Sequence, residues 1–441
     1  MKRLLSLLLC AVLALFCATT AQAAGVSITL TASEYALHYA FDAGAQDPFV
    51  ILEYATPAEK GWMMLYSADG HFEGDVSLAY SGAGGKTSVA LTSARTTGSI
   101  GKASTTLPKA ADYQKPTGKS NAKVTDFMLT ETPEGFHYAF NAAGTDYMLL
   151  YWRSKEQTVT QPVYPDENGH YEGDVISDLT FARTQFTVQV KNGSGSMKKE
   201  ATVRKGYQAP EAPQRQEGRL SGVTVCIDAG HQENGRFVNE PIGPGLSGST
   251  SGKGGMAQGT KTNRRESIVC LEIGMLLRDE LLRQGANVVM TREDQTTFHT
   301  NIERCEIAEA GGAQIMLRLH CNNSSNHSKR GIQVYGPLNS DYAKAVADAD
   351  TYREMGQKLL DAMKTRVGMT LANSTGMVRL NDNYVGNNWA KMMCFLVEMG
   401  YLSNPAEEYL LVTPVYQQWL AEGMADGVYE IAVARGWAQA Q

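Results

Sequence analysis

Three apolar stretches in the second half of the chain each lead to a residue that could bind a metal or move a proton. Residues 223–227 lead to His231, residues 314–319 lead to His320, and residues 392–397 lead to Glu398. We expect these stretches to be strands of an open α/β sheet, in which ligands bind at the carboxyl ends of the strands. On adjacent strands, the two imidazoles and the carboxylate would therefore converge.

A fourth candidate, Glu266, lies in the first turn of a predicted long helix. Two histidines and one glutamate, with one position left for water, form a catalytic zinc set. Each residue also has a structural explanation: Glu266 could close a capping box with Asn263, His231 could be a loop histidine hydrogen-bonded to Asp228, and His320 could be a hydrogen-bonded histidine at a strand end. Glu398 needs a partner, because an unpaired buried carboxylate is costly. Since the structural explanations would all have to coincide at one edge of one sheet, the zinc set is favoured.

The same half of the chain alternates strand-like and helical patterns. This alternation predicts an α/β domain with a mostly parallel, helix-flanked sheet. The predicted strands are residues 223–227, 287–291, 314–319, 331–335 and 392–397. The predicted helices are residues 264–284, 301–310, 341–367 and 415–434. These elements would place the candidate residues at strand ends and at a helix N-terminus.

The first half of the chain contains an internal repeat. Residues 37–41 and 70–76 both recur 99 residues later, each with one substitution. A constant offset indicates two copies of one module. Because apolar and polar residues alternate between turn-forming clusters, each copy is predicted to be a small antiparallel β-sandwich.

Two groups of repeated residues in these modules need an explanation. The aromatic residues are expected in the cores rather than as platforms for sugars; they are Tyr39, Phe72, Tyr138 and Tyr171. The repeated histidines His71 and His170 lie near acidic residues. A role in a turn is the simpler explanation for them, and no site is predicted there.

Composition and charge exclude several functional classes. The chain has 441 residues, of which 43% are apolar and 20% charged, as in soluble globular proteins of more than one domain. A net charge of −6 provides no basic surface for nucleic acid. Residues 1–23 are typical of a secretory signal peptide, with cleavage expected after Ala23. Loss of Lys2 and Arg3 would take the net charge from −6 to −8, and no later segment is apolar enough to span a membrane.

Five cysteines lie outside the predicted signal peptide. They are Cys226, Cys270, Cys305, Cys321 and Cys394. An odd number leaves at least one thiol that is free or pairs between chains. Since none has the spacing of a zinc knuckle or a redox pair, we expect buried thiols in a protein not held together by disulfides.

Two segments rich in proline, alanine and polar residues are predicted linkers. Together with the repeat, they predict the following organisation. It comprises a signal peptide at 1–23, β-sandwich modules at 24–100 and 122–207, linkers at 101–121 and 208–219, and an α/β catalytic domain at 220–437.

Residues 222–434, about half of the chain, resemble the zinc-dependent N-acetylmuramoyl-L-alanine amidases of bacterial cell walls. The matching segments, in chain order, are residues 225–231, Glu266 at the start of a helix, residues 288–292, residues 317–322 and residues 395–404. Arg292, Arg304 and Asn322 also match family positions. They could support the fold or contact substrate, and we do not assign them to the site.

The resemblance implies that His231, Glu266 and His320 bind one zinc ion and that Glu398 is the catalytic carboxylate. It also implies a secreted, wall-associated enzyme that hydrolyses the amide between N-acetylmuramic acid and the L-alanine of the stem peptide in peptidoglycan. Glu398 would act as general base and then as general acid. A zinc peptidase that cuts elsewhere in peptidoglycan, and a non-catalytic wall-binding protein, remain alternatives. Oligomeric state is not predicted.

The segment between His231 and Glu266 departs from the family pattern. It contains 34 residues, whereas many members of the family have a short glycine-rich loop there. Glu233 and Glu240 could compete with Glu266, which is favoured because it alone precedes a long amphipathic helix. The insert at residues 232–263 could be a flexible lid over the substrate groove or a surface loop.

Overall fold

The structure is a computed structural model, and the chain divides into two compact units, Met1–Lys205 and Gly206–Gln441. The residues that it describes are 19–22, 25–34, 36–78, 81–96, 98–111, 122–132, 135–143, 145, 148–153, 158–163, 165–176, 185–192, 196–204, 210–232, 238–250, 255–262, 264–367 and 377–440.

The regular structure described in the first unit consists of β-strands. The strands are β1 (Thr19–Gln22), β2 (Ser27–Ala32), β3 (Ala36–Asp42), β4 (Phe49–Ala55), β5 (Glu59–Tyr66), β6 (His71–Ser77), β7 (Gly85–Ser93), β8 (Ser99–Leu107), β9 (Lys123–Thr132), β10 (Gly135–Ala143), β11 (Met148–Arg153), β12 (Thr158–Val163), β13 (His170–Ile176), β14 (Gln185–Lys191) and β15 (Met197–Arg204). They form sheets of four strands (β1-β2-β3-β6), three strands (β13-β10-β9) and eight strands (β15-β14-β11-β12-β5-β4-β7-β8). Strand β1 lies within the predicted signal peptide, and residues 1–18 and 23–24 lie outside the described residues.

The internal repeat is visible in the strand pairing. Antiparallel β3 and β6 place Tyr39 opposite Gly74, and β10 and β13 place Tyr138 opposite Gly173. A Cβ added at either glycine would lie 2.8 Å or 2.7 Å from the hydroxyl of the opposing tyrosine. Tyrosine and glycine therefore recur together because the ring needs the space that glycine leaves.

Each copy has its own apolar core. In β3, alternate residues are buried, so that Leu37, Tyr39 and Phe41 face inwards. The equivalent positions of β10 are buried in the second core. The repeated aromatic residues lie in these cores, as predicted; Tyr39, Phe72, Tyr138 and Tyr171 are all at most 7% exposed.

One sheet runs through both copies. Strands β5 and β12 join them by antiparallel pairing of Lys60 with Thr158 and of Glu59 with Val159. The first unit is therefore a β-rich region with a shared eight-stranded sheet, whereas the sequence predicted two tandem β-sandwich modules. The predicted linker at 101–121 also differs, because β8 extends to Leu107; residues 112–121 lie outside the described residues.

The second unit is an α/β domain. Its strands are β16 (Thr224–Ala229), β17 (Asn287–Met290), β18 (Ile315–Asn322), β19 (Gln333–Gly336), β20 (Met377–Leu380) and β21 (Met393–Tyr401). Its helices are α1 (Glu266–Arg283), α2 (Asn301–Ala310), α3 (Asp341–Val346), α4 (Ala349–Val367), α5 (Val385–Trp389), α6 (Glu407–Leu410) and α7 (Pro414–Ala434). The sheet order is β17-β16-β18-β21-β19-β20. Because β19 runs antiparallel to β21 while the other neighbouring strands are parallel, the sheet is mixed.

The predicted elements of this unit all have counterparts whose ends agree within four residues, except one helix. The helix predicted at 341–367 is two helices, α3 and α4, because Ala347 has an extended backbone (φ −165°, ψ 162°). The carboxylate of Asp348 then accepts a hydrogen bond from the backbone N–H of Thr351 at 2.8 Å, which favours a new helix start. The short elements β20, α5 and α6 were not predicted.

The long helices cover the sheet. Helix α1 packs on β16 and β18, and α7 packs on α1 and α4. Gly427 permits the close approach of α7 to α4, because a Cβ there would lie 2.8 Å from the Cα of Leu359. No helix in the described ranges combines the length and apolar character needed to cross a membrane.

The five cysteines of the second unit are buried, as predicted, and are free thiols in this structure. Burial is the main cause that raises the pKa of each thiol. Because the thiolate is the reactive species, burial disfavours the reactive form of these cysteines.

Part of the predicted second linker is packed against the second unit. The carbonyl of Pro210 accepts a hydrogen bond from Arg278 at 2.9 Å. Arg215 donates to the carbonyl of Gly285 at 2.9 Å. These contacts fix residues 210–215 to the surface of the α/β domain, so this stretch is not the free spacer that its composition predicts.

Candidate metal centre and active site

The structure places the four candidate residues at one edge of the mixed sheet. His231 follows β16, His320 lies near the end of β18, and Glu398 lies on β21. His320 and Glu398 are paired in register on adjacent parallel strands. Glu266 is the first residue of α1. The carboxyl ends of three strands and the start of one helix thus meet at this edge, as the sequence predicted.

His231, Glu266 and His320 form a group that could hold a metal ion. The carboxylate of Glu266 lies between the two imidazoles, with Oε2 3.1 Å from Nε2 of His231 and Oε1 2.9 Å from Nδ1 of His320. One ligand atom from each of the three residues lies within 4.8 Å of the others. Two nitrogen ligands and one oxygen ligand match a catalytic zinc site with an open position.

Backbone groups hold the carboxylate of Glu266 in place. The N–H of Ala257 donates to Oε2 at 2.7 Å, and the N–H of Cys321 donates to Oε1 at 3.0 Å. Burial by itself would raise the pKa of Glu266, but hydrogen bonds with His231 and His320 outweigh it and hold the pKa well below its usual value. The side chain is therefore ionised, as a metal ligand must be.

Helix capping does not account for Glu266. The N-cap residue of α1 is Arg265, which makes no side-chain capping bond, and Asn263 lies outside the described residues. Both carboxylate oxygens are directed to the histidines and to the two backbone N–H groups.

His320 is largely buried, and burial lowers its pKa. The neutral imidazole, which is the form that binds metals, is therefore favoured at neutral pH. Its Nε2 is buried and has no hydrogen-bond partner among the described residues. An unpaired buried polar atom costs about 1–3 kcal/mol, so the site is suited to accept a further group.

Glu398 carries the second carboxylate of the site. Burial, and then the negative charge of Glu266, raise the pKa of Glu398 to about 8. Its Oε2 also has no hydrogen-bond partner in the described part of the chain. A carboxyl group with a pKa near neutrality can both take up and release a proton during a reaction.

A buried charge network fixes the loop that carries His231. Asp228 forms ion pairs with Arg304 and Arg318 and accepts a hydrogen bond from Thr291 at 2.8 Å. Arg304 also donates to the carbonyl of His231 at 3.1 Å, where the backbone has a left-handed φ of 57°. The arginines thus stabilise an uncommon backbone conformation that directs the imidazole towards Glu266.

This network bears on two questions that the sequence left open, the partner of His231 and the role of the arginines. The sequence left open a hydrogen bond between His231 and Asp228, but Asp228 is engaged by arginines and a threonine. Arg292 donates to the carbonyls of Ala229, Gly230 and Ser267. Arg292 is therefore a structural residue of the strand end, as is Arg304.

The insert is fixed to the domain at several points. Glu240 accepts hydrogen bonds from the side chain of Asn301 at 2.7 Å and the N–H of Ile302 at 2.8 Å, so it binds the first turn of α2 and does not compete for the metal. Trp389 donates to the carbonyl of Pro241 at 2.8 Å. Glu233 lies outside the described residues.

The second half of the insert is held by Glu408. Its carboxylate accepts from the backbone of Lys261 and from both the backbone and hydroxyl of Thr262, as well as from the hydroxyl of Thr260. These bonds fix the segment that presents Ala257 to Glu266. The described part of the insert is therefore an integral part of the site and not a free surface loop.

Sequence reasoning missed a polar group beside Glu398. Gln333 of β19 lies opposite Glu398 in the antiparallel pairing with β21. Its amide donates to the hydroxyl of Tyr401 at 3.1 Å and accepts from Tyr335 at 2.5 Å and from Asn322 at 3.3 Å. A glutamine at the start of an otherwise apolar strand was the available signal.

The fold and the geometry define an α/β domain with a candidate metal site and, on the adjacent strand, a carboxylate whose Oε2 has no hydrogen-bond partner among the described residues. Residues 225–430 match the family model described as N-acetylmuramoyl-L-alanine amidase.

Individual proteins show the same similarity. The germination-specific N-acetylmuramoyl-L-alanine amidase of Bacillus subtilis is 26% identical over 231 residues, which cover 49% of this chain and 83% of that protein. The probable cell wall amidase LytH of Staphylococcus aureus is 27% identical over 218 residues, which cover 48% of this chain and 60% of that protein. The crystal structure of an N-acetylmuramoyl-L-alanine amidase from Clostridium difficile 630 matches 48% of this chain and 96% of that chain, with 24% identity and a TM-score of 0.38.

Proposed function

We propose that the protein is a secreted zinc-dependent peptidoglycan hydrolase that cleaves the amide bond between N-acetylmuramic acid and the L-alanine of the stem peptide. The family match of residues 225–430 and the names of the relatives support the amidase reaction. The observation that carries the proposal is the carboxylate of Glu266 between two imidazoles, with Glu398 on the strand next to His320.

The ligand assignment rests on the fit between the residues and the ion. His231, Glu266 and His320 supply the donors that zinc prefers, and the unpaired Nε2 of His320 leaves bonding capacity at the site. When bound, Zn(II) would polarise the scissile carbonyl and lower the pKa of a water molecule. The bonds to Glu266 from Ala257 and Cys321 orient the ligand, as outer-shell contacts do in zinc enzymes.

Glu398 is the proposed general base and acid. It takes a proton from the attacking water and returns it to the departing amine of L-alanine, so that the amide C–N bond breaks without a free amide anion. Its raised pKa of about 8 applies to the site without a cation, and an adjacent positive charge would favour the carboxylate form that accepts the proton.

The organisation of the rest of the chain completes the proposal. We propose that residues 1–23 are a signal peptide and that the two copies of the repeat either hold the enzyme on the cell wall or space the amidase domain from it. We propose 220–437 as the catalytic domain. One zinc ion is bound at its active site, and peptidoglycan is the substrate.

Digestion of purified peptidoglycan tests the reaction. The protein without residues 1–23 is incubated with walls of more than one stem-peptide composition, with and without a zinc chelator, and the products are identified by mass spectrometry. Free stem peptides with an N-terminal L-alanine, together with peptide-free glycan, are expected only without chelator. Fragments cut within the peptide would indicate a zinc peptidase, and bound but undigested walls would indicate a wall-binding protein.

A further inference from the structure

The glutamine of β19 beside Glu398 stands at one end of a row of side chains that crosses the sheet. Strand pairing places His320 of β18 opposite Glu398 of β21, and Glu398 opposite Gln333 of β19. Residues that lie opposite each other on neighbouring strands project from the same face of a sheet. The proposed metal ligands therefore lie on one side of Glu398, and Gln333 lies on the other.

Neighbouring bonds fix which end of the Gln333 amide is the donor. Oδ1 of Asn322 accepts from the N–H of Asn323 at 2.8 Å, so Asn322 turns its NH2 group towards Oε1 of Gln333, at 3.3 Å. The hydroxyl of Tyr335 donates to the same Oε1 at 2.5 Å. Nε2 of Gln333 is therefore the donor end, and it donates to the hydroxyl of Tyr401 at 3.1 Å.

This amide has one donor more than its neighbours use. A glutamine side chain offers two acceptor lone pairs and two N–H donors. Asn322 and Tyr335 occupy both lone pairs of Oε1, whereas Tyr401 takes one N–H. Within the described part of the chain, no residue accepts the second N–H. Because the side chain is only partly buried, a ligand that enters the site can reach it.

The second N–H does not serve to support Glu398. An adjacent amide could satisfy a buried carboxylate oxygen, yet Oε2 of Glu398 has no hydrogen-bond partner among the described residues. Both side chains thus keep unused bonding capacity at neighbouring positions of the row. Gln333 also interrupts an apolar strand, since Ile332 and Val334 are at most 1% exposed. A ligand that uses this capacity accounts for a polar side chain at this position.

Packed rings hold the acceptor end of the amide in place. The rings of Tyr335 and Tyr384 meet at 60°, with centroids 5.1 Å apart, and Tyr335 and Tyr401 are at most 8% exposed. Burial, and then the negative charge of Glu398, raise the pKa of Tyr335, so its hydroxyl remains a donor at neutral pH. Gln333 is therefore oriented before a ligand arrives, which reduces the entropy cost of binding.

The order of the row defines where each part of the substrate would lie. In the proposed amide hydrolysis, the scissile carbonyl lies towards the proposed metal ligands, and Glu398 returns the proton to the departing nitrogen. The acyl group and the leaving peptide extend in opposite directions from the C–N bond, so the peptide continues past Glu398 towards β19. The first acceptor after the departing nitrogen is the carbonyl oxygen of L-alanine.

We propose that Gln333 donates its second N–H to the carbonyl oxygen of L-alanine in the stem peptide and so selects amides whose leaving group is a peptide. This inference rests on the proposed amidase function. Asn322, Tyr335 and Tyr401 are then positioning residues, which hold the amide in the required orientation. A simple amine in the leaving position has no carbonyl for this bond and would be a poorer substrate.

A single-atom change in the substrate tests this contact. A soluble muropeptide is compared with its thioamide analogue, in which sulfur, a weak acceptor, replaces the carbonyl oxygen of L-alanine. One hydrogen bond corresponds to about 2- to 10-fold, so the full protein without residues 1–23 should favour the oxygen compound in kcat/KM by that factor. Gln333→Met has a similar shape but no amide, and it should lose this preference.

Controls separate the loss of the donor from the loss of folding. Gln357→Met makes the same change at an exposed position of α4 and should keep the preference of the wild type. Zinc content and far-ultraviolet circular dichroism show whether Gln333→Met is folded. Gln333→Glu retains acceptor oxygens for Asn322 and Tyr335 but has no N–H, and it should also lose the preference. If both variants at position 333 favour the oxygen compound as strongly as the wild type, the proposal is wrong.

Binding without turnover distinguishes this inference from the amidase reaction itself. After removal of zinc by a chelator, calorimetry gives the Kd of both compounds. The wild type should bind the oxygen compound about 2- to 10-fold more tightly, and Gln333→Met should bind both equally. This difference in binding, together with an absence of hydrolysis by the zinc-loaded wild type, would contradict the amidase proposal and support the contact. Equal binding of both compounds by the wild type would overturn the contact at Gln333.

Discussion

The carboxylate of Glu266 makes four polar contacts within the candidate site. Its two oxygens accept from two backbone N–H groups and face two imidazoles. An amide at this position would turn a donor towards at least one of these N–H groups, so glutamine cannot replace the carboxylate without breaking the arrangement. The position therefore requires glutamate for structural reasons, in addition to its proposed role as a metal ligand.

Glu398→Gln separates proton transfer from metal binding. Because Glu398 is not one of the three proposed ligands, the variant should retain zinc while its turnover falls by about 10²–10⁴-fold. His231→Ala should lose the ion as well as activity. Metal analysis and release of stem peptides are measured on the same samples, with the exposed Glu306→Gln as control. Zinc retained at full stoichiometry in His231→Ala would refute the ligand assignment.

Asp228→Asn should destabilise the second unit by about 3–5 kcal/mol at pH 7, because it leaves the buried guanidinium groups of Arg304 and Arg318 without their counter-charge. Burial raises the pKa of Asp228, but the two arginines outweigh it and hold the pKa well below its usual value. The ion pairs therefore stabilise the fold above about pH 4, the ordinary aspartate pKa, and this contribution is lost as the pH falls below it.

Urea unfolding at several pH values measures both effects. Wild-type stability should fall between pH 5 and pH 3 more steeply than that of Asp228→Asn. The exposed Asp350→Asn serves as control, since it removes a carboxylate that forms a surface ion pair with Arg353. Parallel pH profiles for the wild type and Asp228→Asn would show that the ion pairs contribute no net stability.

The site residues were predictable to different extents. The meeting of His231, His320 and Glu398 at one edge of the sheet could be predicted because each follows an apolar run, and the carboxyl ends of such strands form the ligand crevice of an open α/β sheet. The buried cluster of Asp228, Arg292, Arg304 and Arg318 could not, since the burial of a charge depends on which distant residues neutralise it. Gln333 was missed for a similar reason: two of its three partners, Asn322 and Tyr401, come from β18 and β21.

At the scale of elements, α1 and the insert together position the carboxylate of Glu266. The helix begins at the proposed ligand, and the insert returns to the same residue through the N–H of Ala257. Glu408, which is fully buried at the start of α6, holds the returning segment with four hydrogen bonds. Through Glu408, helix α6 therefore supports the hydrogen bond between Ala257 and Glu266.

Glu408→Ala should release residues 255–262 and weaken the zinc site. Loss of an orienting contact to a ligand commonly reduces metal affinity by about 10–100-fold. Zinc affinity is measured by competition with a chromogenic chelator, and limited proteolysis reports whether the insert has become accessible. The exposed Glu430→Ala is the control. Rapid cleavage of the insert with unchanged zinc affinity would show that the Ala257 contact does not support the site.

In the second unit, the sequence predicted those strands and helices whose apolar pattern extends over many residues. The strands and helices that carry the site were found because their apolar periodicity spans several residues. The division between α3 and α4 depends on one extended residue and one capping aspartate, and the four-residue strand β20 is too short for any period. The pairing of β19 with β21 in the antiparallel sense has no local signal at all.

At the scale of the whole molecule, the candidate active site lies entirely within the second unit. Its ligands, its second carboxylate and the supporting arginines all come from residues after Gly206. The first unit has separate apolar cores. Chemistry on a small substrate should therefore depend on the second unit alone.

A protein containing only residues 206–441 should hydrolyse a soluble muropeptide at a rate within about twofold of that of the full protein, because no site residue is removed. Circular dichroism checks that the fragment is folded, and Glu398→Gln in the fragment is the inactive control. A much lower rate in a folded fragment would contradict the independence of the active site. Comparison on insoluble walls then distinguishes a holding role of the repeats, which predicts a loss, from a spacing role.

The pairing of β5 with β12, which connects the two copies of the repeat, also indicates how this protein arose. Strands β5 and β12 are equivalent in the repeat, and their pairing is reciprocal: Glu59 lies opposite Val159, the counterpart of Lys60, while Lys60 lies opposite Thr158, the counterpart of Glu59. Contact of like with like is the isologous arrangement of two-fold dimers. Duplication and fusion of a gene whose product once paired with itself through this edge would give this layout, with an ancestral subunit interface preserved inside a single polypeptide.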